Sequence, residues 1–234
     1  MTTLIIGDIH TKEYIVDQII TNHPHDRVVL MGDYFDDFHD TADLNKLTAH
    51  WLREKLYDDR YVCLMGNHDM HYAHRSIPYC SGFTMAKFHA INDVLTPADW
   101  RRLKYLHVEQ GWWCSHAGVT EHWFAHPVDG ITEAYAHKCI EHDVMMMEAG
   151  QFPLCLYAAD HYRGGDNFKG GIVWNDWRNL DIIAGVPQIV GHTPHDRIQH
   201  KRNTHGEAYC VDALQREYIS ITDGQVTIHQ HEYR

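Results

Sequence analysis

Side chains of metal-binding or acid–base type recur at one kind of place in this chain. Asp8 and His10 follow the apolar run TLII, Asp33 follows RVVLM, and Asn67 and His68 follow RYVCLM. His116 follows GWWC, and His192 follows QIV. Carboxylate, imidazole and a neutral amide oxygen suit borderline divalent cations such as Mn, Fe, Zn or Ni. The set is too long for one tetrahedral zinc. One carboxylate can bridge two ions, as two-metal hydrolytic sites about 3.5–4 Å apart require. The stretch GDYFDDFHD adds Asp36, Asp37 and Asp40 to Asp33. Charges at that density repel, so a bound cation or an exposed turn must relieve them.

The elements that position these groups follow from periodicity. TLII, RVVLM and RYVCLM read as short buried strands. KEYIVDQIITNH spaces Ile15, Ile19 and Ile20 as a helix face does, and TADLNKLTAHWLREKLYDD does so with Leu44, Leu47, Trp51, Leu52 and Leu56. Thr41 or Asp40 caps the second helix. Strand–helix–strand–helix–strand implies right-handed crossovers and parallel strands. Ligands collect at the carboxyl ends of such strands, where the polar motifs fall. FHAINDVL and PADWRRLKYL read as helices, and residues from about 119 to 162 as a helical, aromatic-rich insert. GGIVWND, QIV, EAYCVDA, REYISIT and QVTIHQH read as strands, with a turn at Asp223-Gly224. The expectation is an α/β, two-sheet sandwich flanked by helices, residues 1–234 forming one domain, with the last strands closing the second sheet. His71 and His74 are expected on a helix surface, and Trp112 and Trp113 in the core.

Composition narrows the function. A net charge of −12 does not suit wrapping a long nucleic-acid backbone, which needs clustered Lys and Arg. The six cysteines form no CxxC pair and several lie in apolar runs, as free thiols of a reducing compartment do. TTLIIGD opens the chain without a basic n-region, and no run of 18 apolar residues occurs, so a cytoplasmic protein without a membrane span is expected.

GDIH, GDYFDD, GNHD, SHAG and GHT, in this order from Gly7 to Thr193, resemble the signature of the calcineurin-like metallophosphoesterases. The pattern is closest to the phosphoprotein phosphatases and the diadenosine tetraphosphate hydrolases. The resemblance implies that Asp8 and His10 bind a first metal, that Asp33 bridges both ions, and that Asn67, His116 and His192 bind the second. It implies that His68 contacts substrate or protonates the leaving oxygen, with Asp36 orienting it and raising its pKa. The cofactor implied is a pair of divalent ions, manganese first among them. The implied reaction is in-line hydrolysis of a phosphate ester or anhydride by a hydroxide bridging the metals.

Departures from the family pattern bear on substrate. Asp37 and Phe38 stand where the phosphatases have an arginine, which clamps phosphate, and a glycine. Thr11 replaces a glycine, and Asp69 the commoner glutamate. VWNDWR resembles a segment near the family active site, so Arg178 is the candidate replacement phosphate contact, alongside Asn67. His195 is left out of the metal set. Substrates in view are a phosphorylated small molecule, a nucleotide or dinucleoside polyphosphate, an RNA-end phosphodiester, or a phosphoprotein. The non-enzyme alternative is a binding scaffold of the same fold.

Overall fold

The apolar runs of the N-terminal third become adjacent parallel strands. The computed structural model describes residues 1–126, 128–213 and 216–231. The strands are β1 (Thr2–Ile6), β2 (Arg27–Leu30), β3 (Tyr61–Cys63), β4 (His107–Glu109), β5 (Trp112–Cys114), β6 (Gln188–Val190), β7 (Gln199–Arg202), β8 (Glu207–Cys210), β9 (Glu217–Thr222) and β10 (Gln225–Gln230). The helices are α1 (Glu13–Asn22), α2 (Ala42–Leu56), α3 (Asn67–Ala73), α4 (Met85–Asn92), α5 (Pro97–Trp100), α6 (Glu121–Phe124), α7 (Glu133–Glu148) and α8 (Leu154–Tyr157). One five-stranded sheet runs β10-β9-β1-β2-β3 and the other β4-β5-β6-β8-β7. Both are mixed: β1, β2 and β3 pair in parallel, as do β5, β6 and β8, while β9 and β10 join the first sheet, and β4 and β7 the second, in antiparallel pairs.

The strands β1, β2, β5 and β6 are buried almost throughout, which is why they read as unbroken apolar runs. Ile5, Val29, Val62, Cys114, Ile189 and Ile219 pack between the sheets. Leu4, Ile6, Val28 and Leu30 point the other way, into a core with Ile15, Val16, Ile19 and Leu52 of α1 and α2. Each such side chain stabilises the sandwich by about 1.5–3 kcal/mol.

Several expectations change. REYISIT and QVTIHQH form β9 and β10, but β9 pairs with β1, so they extend the first sheet rather than close the second. Asp223 and Gly224 make their hairpin turn, both at positive φ, as a two-residue type I′ turn requires. GGIVWND is a turn, and PADWRRLKYL is helical only over Pro97–Trp100. Leu44 and Leu47 are exposed; α2 buries Asn45, Thr48, Ala49, Leu52 and Leu56 instead. Thr41 caps α2 through Leu44 N–H. Trp112 and Trp113 are buried. None of the described helices is long and apolar enough to cross a membrane.

Candidate metal centre and active site

Asp8, Asp33, Asn67, His116 and His192 all lie just past the carboxyl ends of β1, β2, β3, β5 and β6. Pulling them inward bends the chain sharply. His10 (φ 44°), Thr11 (56°), Asp33 (50°), Asp36 (65°) and His192 (67°) all occupy the left-handed region, at about 1–3 kcal/mol each. Hydrogen bonds hold this geometry. The amides of Ile9 and His10 donate to Asp33 O at 3.1 and 2.8 Å. The buried Asp69 carboxylate accepts from the amides of Asp33, Tyr34 and Gly66 at 2.8, 2.9 and 2.8 Å. Asp69 thereby ties the end of β2 to that of β3. Gly66 and Gly191 allow the closest approaches: a Cβ there would meet Asp33 Oδ1 at 2.2 Å and Asp8 Oδ1 at 2.1 Å.

Two groups of potential ligand atoms result, each within 4.8 Å: Asp8, His10 and Asp33, and Asp33, His116 and His192. Asp33 belongs to both. His116 Nδ1 donates to Met31 O at 2.8 Å, which turns Nε2 inward, 3.0 Å from Asn67 Oδ1, 3.2 Å from His192 Nδ1 and 3.4 Å from Asp33 Oδ2. His10 Nδ1 likewise donates to Phe35 O at 2.9 Å, leaving Nε2 3.8 Å from Asp33 Oδ2. A backbone carbonyl on one ring nitrogen fixes the other as the metal-facing atom. Asn67 Nδ2 contacts Cys80 Sγ at 3.6 Å, so its oxygen faces the histidines. Buried carboxylates, inward imidazole nitrogens and one amide oxygen fit hard-to-borderline divalent cations.

The electrostatics suit the same purpose. Burial opposes charge on Asp33, yet His116, His68 and His10 hold its carboxyl well below the usual range. Burial and the neighbouring Asp212 raise Asp8. Burial also lowers His10, and with His116 and Arg163 lowers His192, keeping both imidazoles neutral. Burial and the Asp33 charge push Asp69 up to about 8 against the pull of its N–H donors.

All four aspartates of GDYFDDFHD have partners. Asp36 Oδ2 lies 3.2 Å from His68 Nδ1 and 3.1 Å from His71 Nε2, and Oδ1 accepts from Tyr72 and Lys87 at 2.7 and 3.1 Å. Asp37 pairs with Lys12 at 2.8 Å. Asp40 accepts from Asn45 and pairs with Lys87, so it is not the helix cap. His71 is fully buried on Asp36, contrary to its expected surface place.

A cavity of about 1030 Å³ opens over these groups, with Lys12, Asp37, Phe38, Tyr162, Arg163 and Arg216 on its walls. Arg178 is not on its wall. Its guanidinium pairs with Asp176 at 2.8 Å and stacks 4.0 Å from the Tyr162 ring. Of the two arginines on the wall, Arg163 donates to His192 O and lies 3.4 Å from Asp176, while Arg216 pairs with Asp196 at 3.6 Å. His195 lines the cavity, its amide donating to Asp212 O at 3.0 Å. Asp212, also on the wall, escaped the sequence reading; burial and Asp33 push it up to about 7. It follows the strand EAYC, the same signal that marked Asp8 and Asp33.

No curated protein matches the chain. Among solved structures, the cold-active protein-tyrosine phosphatase of a psychrophilic Shewanella species aligns with 99% of this chain and 80% of its own, at 14% identity and a TM-score of 0.62. A protein serine/threonine phosphatase from Saccharomyces cerevisiae aligns with 100% of this chain and 80% of its own, at 10% identity and a TM-score of 0.57. At such identities the likeness establishes a shared fold. The profile of the family described as calcineurin-like phosphoesterase matches residues 1–219. Matched over nearly its whole length, and folded as two mixed sheets flanked by helices, the chain belongs to the calcineurin-like phosphoesterase family.

Proposed function

We propose that this chain is a two-metal, phosphatase-like hydrolase of phosphate esters or anhydrides. The observation that carries the reading is that Asp33 belongs to both ligand groups. Asp8, His10 and Asp33 would hold one divalent cation, and Asp33, Asn67, His116 and His192 the other, with manganese the first choice over iron, zinc or nickel. When bound, such a pair supplies Lewis-acid charge for phosphoryl oxygens and makes water a stronger acid.

The chain's own side chains do the rest. His68 gives Nδ1 to Asp36, leaving Nε2 for the departing oxygen. Burial opposes a charged imidazole there, but Asp33 and Asp36 raise its pKa, so His68 holds a proton to donate. Arg163, tethered by Asp176 and the His192 carbonyl, offers its remaining N–H groups to a phosphoryl oxygen, the role first expected of Arg178. Asn67 keeps one N–H for the same group. Residues 1–234 act as one domain, with the helical stretch of about 119–162 shaping the cavity. Six free cysteines support a reducing, cytoplasmic setting.

One observation favours a second reading, a nucleotide or dinucleoside polyphosphate as substrate. Phe38 and Tyr162, 93% and 47% exposed, both stand on the cavity wall where a base could stack. Protein stripped of metal and reloaded with manganese should turn over p-nitrophenyl phosphate or its bis-ester. No turnover of any ester with two cations bound would leave only the binding-scaffold alternative.

A further inference from the structure

Lys87 is a buried cation that the proposed chemistry has not used. It lies on α4, outside every motif, and its side chain is 7% exposed. Its ammonium has three acceptors: Asp36 Oδ1 at 3.1 Å, Gly82 O at 2.8 Å and Asp40 Oδ1. An ammonium has three N–H donors, so its capacity is matched. It joins both ends of the Asp36–Asp40 loop to α4. A carboxylate as buried as Asp36 could swing toward any single donor. Here Lys87 and Tyr72 fix Oδ1, and Oδ2 is left facing His68 Nδ1 and His71 Nε2.

We propose that Lys87 is a positioning residue for leaving-group protonation: it locks Asp36 so that Asp36 orients His68. Lys87 does not reach the cavity wall and touches neither substrate nor metal ligand. The inference rests on the proposed role of His68, and the experiment separates the two. In the step concerned, the bond from phosphorus to the departing oxygen breaks, and that oxygen takes the proton from His68 Nε2. A defect in this transfer slows poor leaving groups far more than good ones. Damage to metal binding or to the fold slows both alike.

The test compares Lys87→Met and His68→Asn, each with two metals verified, on matched aryl phosphates: p-nitrophenyl against phenyl, as monoesters or symmetrical diesters. For His68→Asn, kcat on the phenyl ester should fall by about 10²–10⁴ and on the nitrophenyl ester much less. For Lys87→Met the same selective loss should appear, at about 10–100-fold. Removing Lys87 strands part of the charge of two buried carboxylates, Asp36 and Asp40, and so weakens the fold. If the single variant does not fold, Lys87→Met with Asp40→Asn strands one fewer and takes the same measurement. A selective loss in His68→Asn with an equal loss on both esters, or no loss, after Lys87 is replaced overturns the inference alone. No selectivity in His68→Asn overturns the role of His68 and this inference with it.

Discussion

The Nε2 atom of His116 lies 3.4 Å from Asp33 Oδ2, with both side chains buried. Burial alone would depress this imidazole, but the Asp33 and Asp8 carboxylates raise its pKa to about 10. Without metal, a proton therefore sits where a cation would bind. Manganese uptake near neutral pH should release about one proton from this site, read by calorimetry in buffers of different ionisation enthalpy. Release of none would show that His116 is not a ligand. The sign for stability follows. A raised histidine pKa stabilises the metal-free fold fully below the unfolded value of about 6.5. That contribution is lost as pH rises through about 10. Thermal melts of metal-free protein should weaken across this window, and those of loaded protein less so.

Asp33 offers a direct test of the shared ligand. Asp33→Asn keeps the shape but removes the charge that serves both groups. Bound metal and turnover should fall together, activity by at least about 100-fold. Full activity with both metals retained would remove Asp33 from the bridging position.

Gly191 tests the same site without touching a ligand. A Cβ there would sit 2.1 Å from Asp8 Oδ1, and the Gly191 backbone is held by the hydrogen bond that its N–H donates to His116 O at 2.7 Å. The carboxylate must therefore give way. Gly191→Ala should weaken metal binding by about tenfold or more, with the secondary structure kept, as judged by metal titration beside circular dichroism. Unchanged affinity would place Asp8 outside the metal set.

Much of this site was legible in the sequence because residue type and place coincide. A carboxylate or imidazole directly after an apolar strand can do little else than meet its counterparts at the sheet rim. What was illegible depends on distant partners. The alternation in EYISIT marks a strand but not which sheet receives it; that is set by β1, more than 200 residues earlier. The strand QHKR carries no apolar signal at all, because it is an edge strand with polar side chains on both faces. His71 looked solvated because its reason for burial, Asp36, lies on another segment. Arg178 and Arg163 are both close in sequence to the VWND turn, and only the fold decides which one faces the cavity.

Asp37 bears on substrate choice. It faces the cavity where related phosphatases are expected to carry arginine, and it neutralises Lys12 at 2.8 Å. Asp37→Arg removes that partner and adds a second cation, so phosphate monoesters should gain rate relative to diesters. The ratio of kcat/KM for p-nitrophenyl phosphate and its bis-ester measures this. High monoester activity in the wild type, untouched by the substitution, would show that Asp37 does not set the preference.

Glu109 provides an acid-stability prediction far from the chemistry. It sits on β4 yet accepts from Thr3 Oγ1 at 2.9 Å and Arg27 Nη1 at 3.3 Å, side chains of the other sheet, and from His107 Nε2 at 3.0 Å. Its side chain is 2% exposed. Burial disfavours the carboxylate, but these donors outweigh it and bring the pKa down to about 2 from 4.5. A depressed carboxylate stabilises the fold above its unfolded pKa, and the benefit is lost as pH falls from about 4.5 toward 2. The shift corresponds to a contribution on the order of 3 kcal/mol. Glu109→Gln should therefore lower the melting temperature near neutral pH by roughly 5–10 °C and flatten its decline below about pH 4.5. Because the Thr3 and Arg27 contacts lie at the opposite end of β1 and β2 from Asp8 and Asp33, manganese affinity should not change. An acid-unfolding profile that keeps the wild-type slope in Glu109→Gln would show that other carboxylates tie the two sheets together.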